Sequence, residues 1–331
     1  MTLSAHSIVV ARLTVDAQQL ATAHPPKIKD KNKAQIHAIA CPIGSVPRGT
    51  IEASRWRAVS LPERVPGLQP QLKLERGIFD YAPPAAGSVE WHLNFADAEL
   101  FYAYGSGLFA QDEMQVAEHP ILASVRESLV ASPIPNFPPW TTEDGLATPV
   151  LVMGAERSCA IATRRGTLSI YGNAMSRAPA STISALVARL VPPTVSNILA
   201  IEAIPGGSGR YSPEEISRVT MTATAGFCAA ISESHRVRGP DVKVIIHTGF
   251  WGCGAFGGNK RLMALLQLVC ARLAQLDGLV FHAFDDAGAN AYADAYDLYN
   301  DILPAGSAPA LSEVLRRIDD LSFEWGSSDG N

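Results

Sequence analysis

Residues 242–276 constrain the fold of this chain more than any other stretch. Residues 242–248 (Val-Lys-Val-Ile-Ile-His-Thr) are rich in β-branched side chains and predict a buried strand. The loop that follows holds five glycines among the eleven residues from Thr248 to Gly258. Asn259 suits a helix N-cap, and Leu262, Leu265, Leu266, Val269, Leu273 and Leu276 then recur at helical spacing. Gly278 is the expected cap at the end of that helix, and residues 279–284 return as a strand. Strand, loop, helix and strand in this order predict an α/β sheet with a right-handed crossover.

Five glycines cost backbone entropy, and two suffice for a turn. The excess, followed by a helix N-terminus, suits a diphosphate held by backbone N–H groups. Gly258-Asn259-Lys260-Arg261 lacks the Gly-Lys-Ser/Thr ending of a magnesium-serving phosphate loop, which argues against a P-loop ATPase. Gly252-x-Gly254-x-x-Gly257 matches the dinucleotide fingerprint, and Asp285 ends the next strand. A unit starting near residue 242 of 331, however, leaves too little chain for a dinucleotide domain.

Composition narrows the partners. A net charge of -5 without a basic stripe argues against long nucleic acid. Five cysteines (Cys41, Cys159, Cys228, Cys253, Cys270) in no metal-binding spacing read as free thiols of a cytoplasmic chain, with no metal or cofactor. Neither a signal-peptide pattern nor a run of about 18 apolar residues is seen, so no membrane partner is expected. A monomer is expected.

Elsewhere the pattern is less regular. Residues 1–60 read as an N-terminal extension, with His24-Pro25-Pro26 and Lys27, Lys29, Lys31 and Lys33 in an exposed loop. Residues 61–331 then form one domain. Residues 91–95, 150–153, 159–163 and 198–204 read as strands. Residues 110–118 read as a helix that stops before Pro120. Residues 181–190 read as a helix ending before Pro192-Pro193. Ser212-Pro213-Glu214-Glu215 reads as a capping box opening a long helix. Residues 308–321 read as a closing helix.

The string Gly249-Phe250-Trp251-Gly252-Cys253-Gly254-Ala255-Phe256-Gly257-Gly258, followed by Arg261-Leu262-x-Ala264-Leu265-x-Gln267, resembles the C-terminal signature of the poly(ADP-ribose) glycohydrolase family. The resemblance implies a macrodomain-like α/β fold, a mixed sheet flanked by helices. It also implies hydrolysis of an ADP-ribosyl O-glycosidic bond. A reader of ADP-ribose without catalysis and a hydrolase of a mono-ADP-ribosyl linkage are the alternatives. The partner implied is ADP-ribose or an ADP-ribosylated substrate.

That resemblance extends to a second segment. Asn94-Phe95-Ala96-Asp97 and Gln111-Asp112-Glu113 match the family's Asp-Phe-Ala-Asn and Gln-Glu-Glu elements, with Asp and Asn exchanged in the first. The sixteen-residue step from Asp97 to Glu113 equals the family spacing. The family's catalytic glutamate falls on Glu113 and its companion on Asp112, while Asn94, Asp97 and Gln111 fall on the ligand side. Breaking a glycosidic bond requires a carboxylic acid to protonate the leaving oxygen and then to activate water.

Where the family has three glycines this chain has Phe101-Tyr102-Ala103, with Tyr104-Gly105-Ser106-Gly107 following: the aromatic side chains are expected to crowd the ribose side of the cleft unless the loop is rebuilt around Gly105 and Gly107. At the adenine end the resemblance puts Asn173 at the family's tyrosine position and Phe250 at its asparagine. It puts Asp80 where an acid faces the adenine amine, and Phe256 and Phe284 nearby. His247 and His282 read as structural.

Overall fold

The computed structural model describes residues 6–330. Eight strands form one mixed sheet: β1 (His6–Asp16), β2 (Thr50–Ser60), β3 (Gln71–Arg76), β4 (Ser88–Ala96), β5 (Val150–Ile161), β6 (Val187–Glu202), β7 (Lys243–Thr248) and β8 (Gly278–Ala283). Their order across the sheet is β1-β2-β5-β6-β4-β7-β8-β3. The five strands from β6 to β3 are parallel, while β1, β2 and β5 are antiparallel to their neighbours.

Helices cover both faces. These are α1 (Ala17–Ala23), α2 (Lys31–Ala40), α3 (Gln111–Glu118), α4 (Ile121–Ala131), α5 (Ala174–Arg177), α6 (Ala180–Leu186), α7 (Pro213–Arg238), α8 (Lys260–Leu273), α9 (Asp286–Ile302) and α10 (Leu311–Asp320). Alternation along β4 assigns the faces. Trp91 and Leu93 pack into a core shared with α7 and α8, whereas Ala96 joins a second core with α1 and α4. Asn94, on the second face, meets α3.

The long helix α7 starts as its capping box predicts. Ser212 Oγ accepts from the Glu215 N–H at 3.2 Å, and Glu215 Oε2 accepts from the Ser212 N–H at 2.7 Å. Asn259 caps α8 through the Leu262 N–H at 3.1 Å.

Other expectations are corrected. The helix expected over residues 181–190 stops at Leu186, because Val187 and Ala188 pair with Ile161 and Ala160 of β5. Pro192-Pro193 lies inside β6, at an interruption of the ladder between Arg189 and Thr194, where a missing N–H breaks no pairing. Gly278 caps no helix: it opens β8, and Gln275 at φ 58 takes the left-handed position after α8. The described part of residues 1–60 is no appendage to the sheet, since β1 and β2 form its antiparallel edge. Lys33 is not exposed but 2% accessible, inside α2.

Candidate functional site

The parallel strands β4, β7 and β8 all end on one side, where open α/β sheets form crevices. A cleft of about 720 Å³ lies there, lined by the segments that follow these strands and by α3. That is the volume range of a small-molecule site. A separate void of about 20 Å³ beside Lys33 and Tyr104 holds no more than a water.

The glycine loop forms one wall. It is pinned from below: Trp251 is fully buried, with its indole N–H donating to Ile201 O at 3.1 Å. Gln267 of α8 donates to Gly249 O at 3.0 Å and accepts from the Thr248 hydroxyl. Gly252 sits at φ 75, and a Cβ there would lie 2.6 Å from Ala203, so only glycine fits. Four loop N–H groups are spent internally, those of Trp251, Cys253, Gly257 and Gly258. Among the described residues, the N–H groups of Gly252, Gly254, Ala255 and Phe256 bond to no backbone carbonyl, and all four residues line the cleft. Successive free N–H groups before a helix N-terminus form an anion-binding concavity.

The carboxylates stand on the first turn of α3. Ala110 holds the N-cap position but has no side-chain oxygen, so only half of a capping box forms: Glu113 Oε2 accepts from the Ala110 N–H at 2.8 Å. Gln111 locks the turn to β4, accepting from the Phe95 N–H at 2.8 Å and donating to Leu93 O at 3.1 Å. Asp112 and Glu113 are only 6% and 4% exposed, yet both line the cleft. Asn94 stands behind them, fully buried, and donates to Asp112 Oδ1 at 2.9 Å. Burial, then the neighbouring Glu113 carboxylate, pushes Asp112 up to about 8, so it keeps its proton at neutral pH. Lys33 opposes this shift; burial brings its own ammonium down to about 8, against the pull of Glu113, Asp112 and Asp30.

The expected crowding by residues 101–103 does not occur. Phe101, at φ 54, is buried in the core with Leu100 and Leu122. Tyr102 points to solvent beneath the Arg126 guanidinium, 5.4 Å from the ring centre. None of residues 101–107 lines the cleft. Lys33 Nζ holds the segment aside by donating to Ala103 O at 3.1 Å and Tyr104 O at 3.0 Å.

The remaining candidates are placed unevenly. Asp97, Gly249, Phe250, Cys253, Phe256 and Phe284 line the cleft. Phe250 is half-buried, edge-on to Phe281 at 5.0 Å, with Lys260 Nζ 5.4 Å from its ring centre. Phe284 is 57% exposed. Asp80 accepts from the Ala82 N–H at 3.1 Å and does not line the cleft, although Gly77, Ile78, Phe79 and Tyr81 around it do. Asn173 is exposed, donates to Gly330 O at 2.9 Å and does not line the cleft.

Sequence reasoning passed over Tyr171, two residues from Asn173, which does line it. Burial, with the Asp329 and Glu113 carboxylates, pushes the Tyr171 hydroxyl up to about 12. It also passed over Asp329, and it read as structural a second lining residue, His282. The latter is 8% exposed at the cleft wall and is linked through His247 to Glu90, each step 3.0 Å.

Comparison with known proteins adds family information. Residues 148–291 match the model of the poly(ADP-ribose) glycohydrolase catalytic domain, described as a macro domain fold. That span contains the glycine loop but not Asp112 or Glu113. Among solved structures, the chain is similar to the poly(ADP-ribose) glycohydrolase of Thermomonospora curvata, at 18% identity and a TM-score of 0.45 over 87% of this chain and 85% of the other. It is similar to the Deinococcus radiodurans glycohydrolase in complex with ADP-ribose, at 11% identity and a TM-score of 0.41 over 88% and 95%.

Proposed function

Taking as premise that the chain belongs, through residues 148–291, to the poly(ADP-ribose) glycohydrolase family, we propose that it hydrolyses an ADP-ribosyl O-glycosidic bond and releases ADP-ribose. One observation carries the reading. Unspent loop N–H groups and a buried carboxylate pair line the same cleft. The first suits a diphosphate and the second suits acid–base work on a glycosidic bond.

In this reading the diphosphate accepts from the N–H groups of Gly254, Ala255 and Phe256. The base lies toward Phe250 and Phe284, where stacking contributes on the order of 1–3 kcal/mol. The distal ribose reaches α3. Glu113 donates a proton to the leaving oxygen as positive charge builds on the anomeric carbon, then takes one from the attacking water. Asp112, held by Asn94 and protonated at neutral pH, offers a neutral hydrogen-bonding partner to the ribose.

The test is incubation with a poly(ADP-ribosyl)ated protein and, separately, a mono-ADP-ribosylated one, with free ADP-ribose measured by chromatography. Release from either supports hydrolysis and names the linkage. Release from neither, by a chain that still binds ADP-ribose, assigns it a reader role instead.

A further inference from the structure

Residues 324–330 run along the glycine loop and bring Asp329 to the cleft. The segment is anchored at its start. Glu324 pairs with Arg210 in an antiparallel bridge, and Glu324 O accepts from Asn259 Nδ2 at 2.8 Å. The Trp325 ring stacks on Tyr211 with centroids 4.2 Å apart. A Cβ on Gly207 would lie 2.4 Å from that ring, so the glycine is what admits it. Beyond the anchor, the chain lies directly on the glycine loop. A Cβ on Gly257 would be 2.8 Å from Ser328 N, and the Asp329 N–H donates to Gly254 O at 3.3 Å.

Asp329 then directs its carboxylate at the loop. Its Oδ2 is 3.2 Å from where a Cβ on Gly254 would stand, and Asp329 lines the cleft. Gly254 opens the run of N–H groups, 254–256, that the loop leaves unspent. A carboxylate and a phosphate are the same kind of guest for such a site: compact anions with accepting oxygens. They also repel each other, so the two do not share one loop at close range.

We infer that residues 327–330 are a built-in competitor for the diphosphate loop, a strap whose Asp329 carboxylate gives way when an ADP-ribosyl diphosphate binds. The inference rests on the diphosphate assignment made above. The Trp325 anchor lets the strap lift without losing its seat, because the stacked ring lies upstream of the part that moves. The strap lowers affinity for every ligand that brings a diphosphate, and least for ligands that bring none.

Two forms test it: the full chain carrying Asp329→Asn, and a chain ending at Gly326, which keeps Trp325. Calorimetry is run with ADP-ribose and with inorganic pyrophosphate against the unaltered protein. The shortened chain should bind both about tenfold more tightly. Asp329→Asn should bind several-fold more tightly, with a gain that shrinks as salt rises. Equal affinities for all three proteins overturn the strap. If the shortened chain misfolds, the full-length Asp329→Asn protein decides alone by the same criterion. Pyrophosphate binding that depends on Asp329, without ADP-ribose binding, keeps the strap and discards the nucleotide reading. Failure of both ligands to bind any form overturns the two together.

Discussion

Replacing Asp112 by Asn should stabilise the protein at neutral pH, although it removes a residue of the proposed site. Burial, then Glu113, moves the Asp112 carboxyl from 3.8 to about 8 in the folded chain. Between those values the unfolded chain is ionised and the folded chain is not, so the unfolded chain binds fewer protons. Stability from this group therefore falls as pH rises from about 4 to about 8 and is level outside that window. One unit is worth about 1.4 kcal/mol, so the roughly three units between 3.8 and pH 7 set a ceiling of about 4 kcal/mol. Relaxation and water around the buried carboxyl lower the expected cost to about 2 kcal/mol. Asparagine keeps the oxygen that accepts from Asn94 and carries no charge. Thermal unfolding by circular dichroism at pH 4, 5.5, 7 and 8.5 reads the effect. Asp112→Asn should melt about 3 °C above the unaltered chain at pH 7, and the two should converge at pH 4. Equal melting at every pH, or a less stable variant at pH 7, would refute the claim that a costly buried acid is held in place there. Such a cost is what a functional site imposes on a fold.

Two further outcomes follow. Glu113→Gln should lower turnover by about 10²–10⁴-fold while ADP-ribose affinity, read by calorimetry, stays within a few-fold; Asp112→Asn, already neutral in effect at pH 7, should cost less. Gly254→Val should weaken ADP-ribose binding with circular dichroism unchanged, since its side chain would stand in the anion's place and 3.2 Å from Asp329 Oδ2; unchanged affinity would make the loop structural.

Local chemistry was legible in the sequence where it decides structure. The glycine loop, the capping box at Ser212 and Glu215 and the N-cap at Asn259 are local signals, and each is made by neighbours in the chain. Non-local pairing was not legible. Nothing in residues 187–190 marks them as strand until β5 lies alongside, and nothing in residues 1–60 announces that β1 pairs with β2 across α1 and α2. Lys33 sits in what reads as a solvated lysine run, and only the carbonyls of Ala103 and Tyr104 explain its burial. Phe101 reads as an obstruction because a sequence match carries no side-chain direction; its positive φ turns the ring into the core. At the adenine end the local match settled on Asn173, whereas Tyr171 reaches the cleft.

A crystal structure of the Glu113→Gln variant soaked with ADP-ribose decides whether the glycine loop and the α3 carboxylates serve one ligand. The diphosphate oxygens should accept from the N–H groups of Gly254, Ala255 and Phe256, with the distal ribose beside residues 112 and 113. ADP-ribose bound elsewhere, or bound with its diphosphate away from the loop, would contradict that shared role.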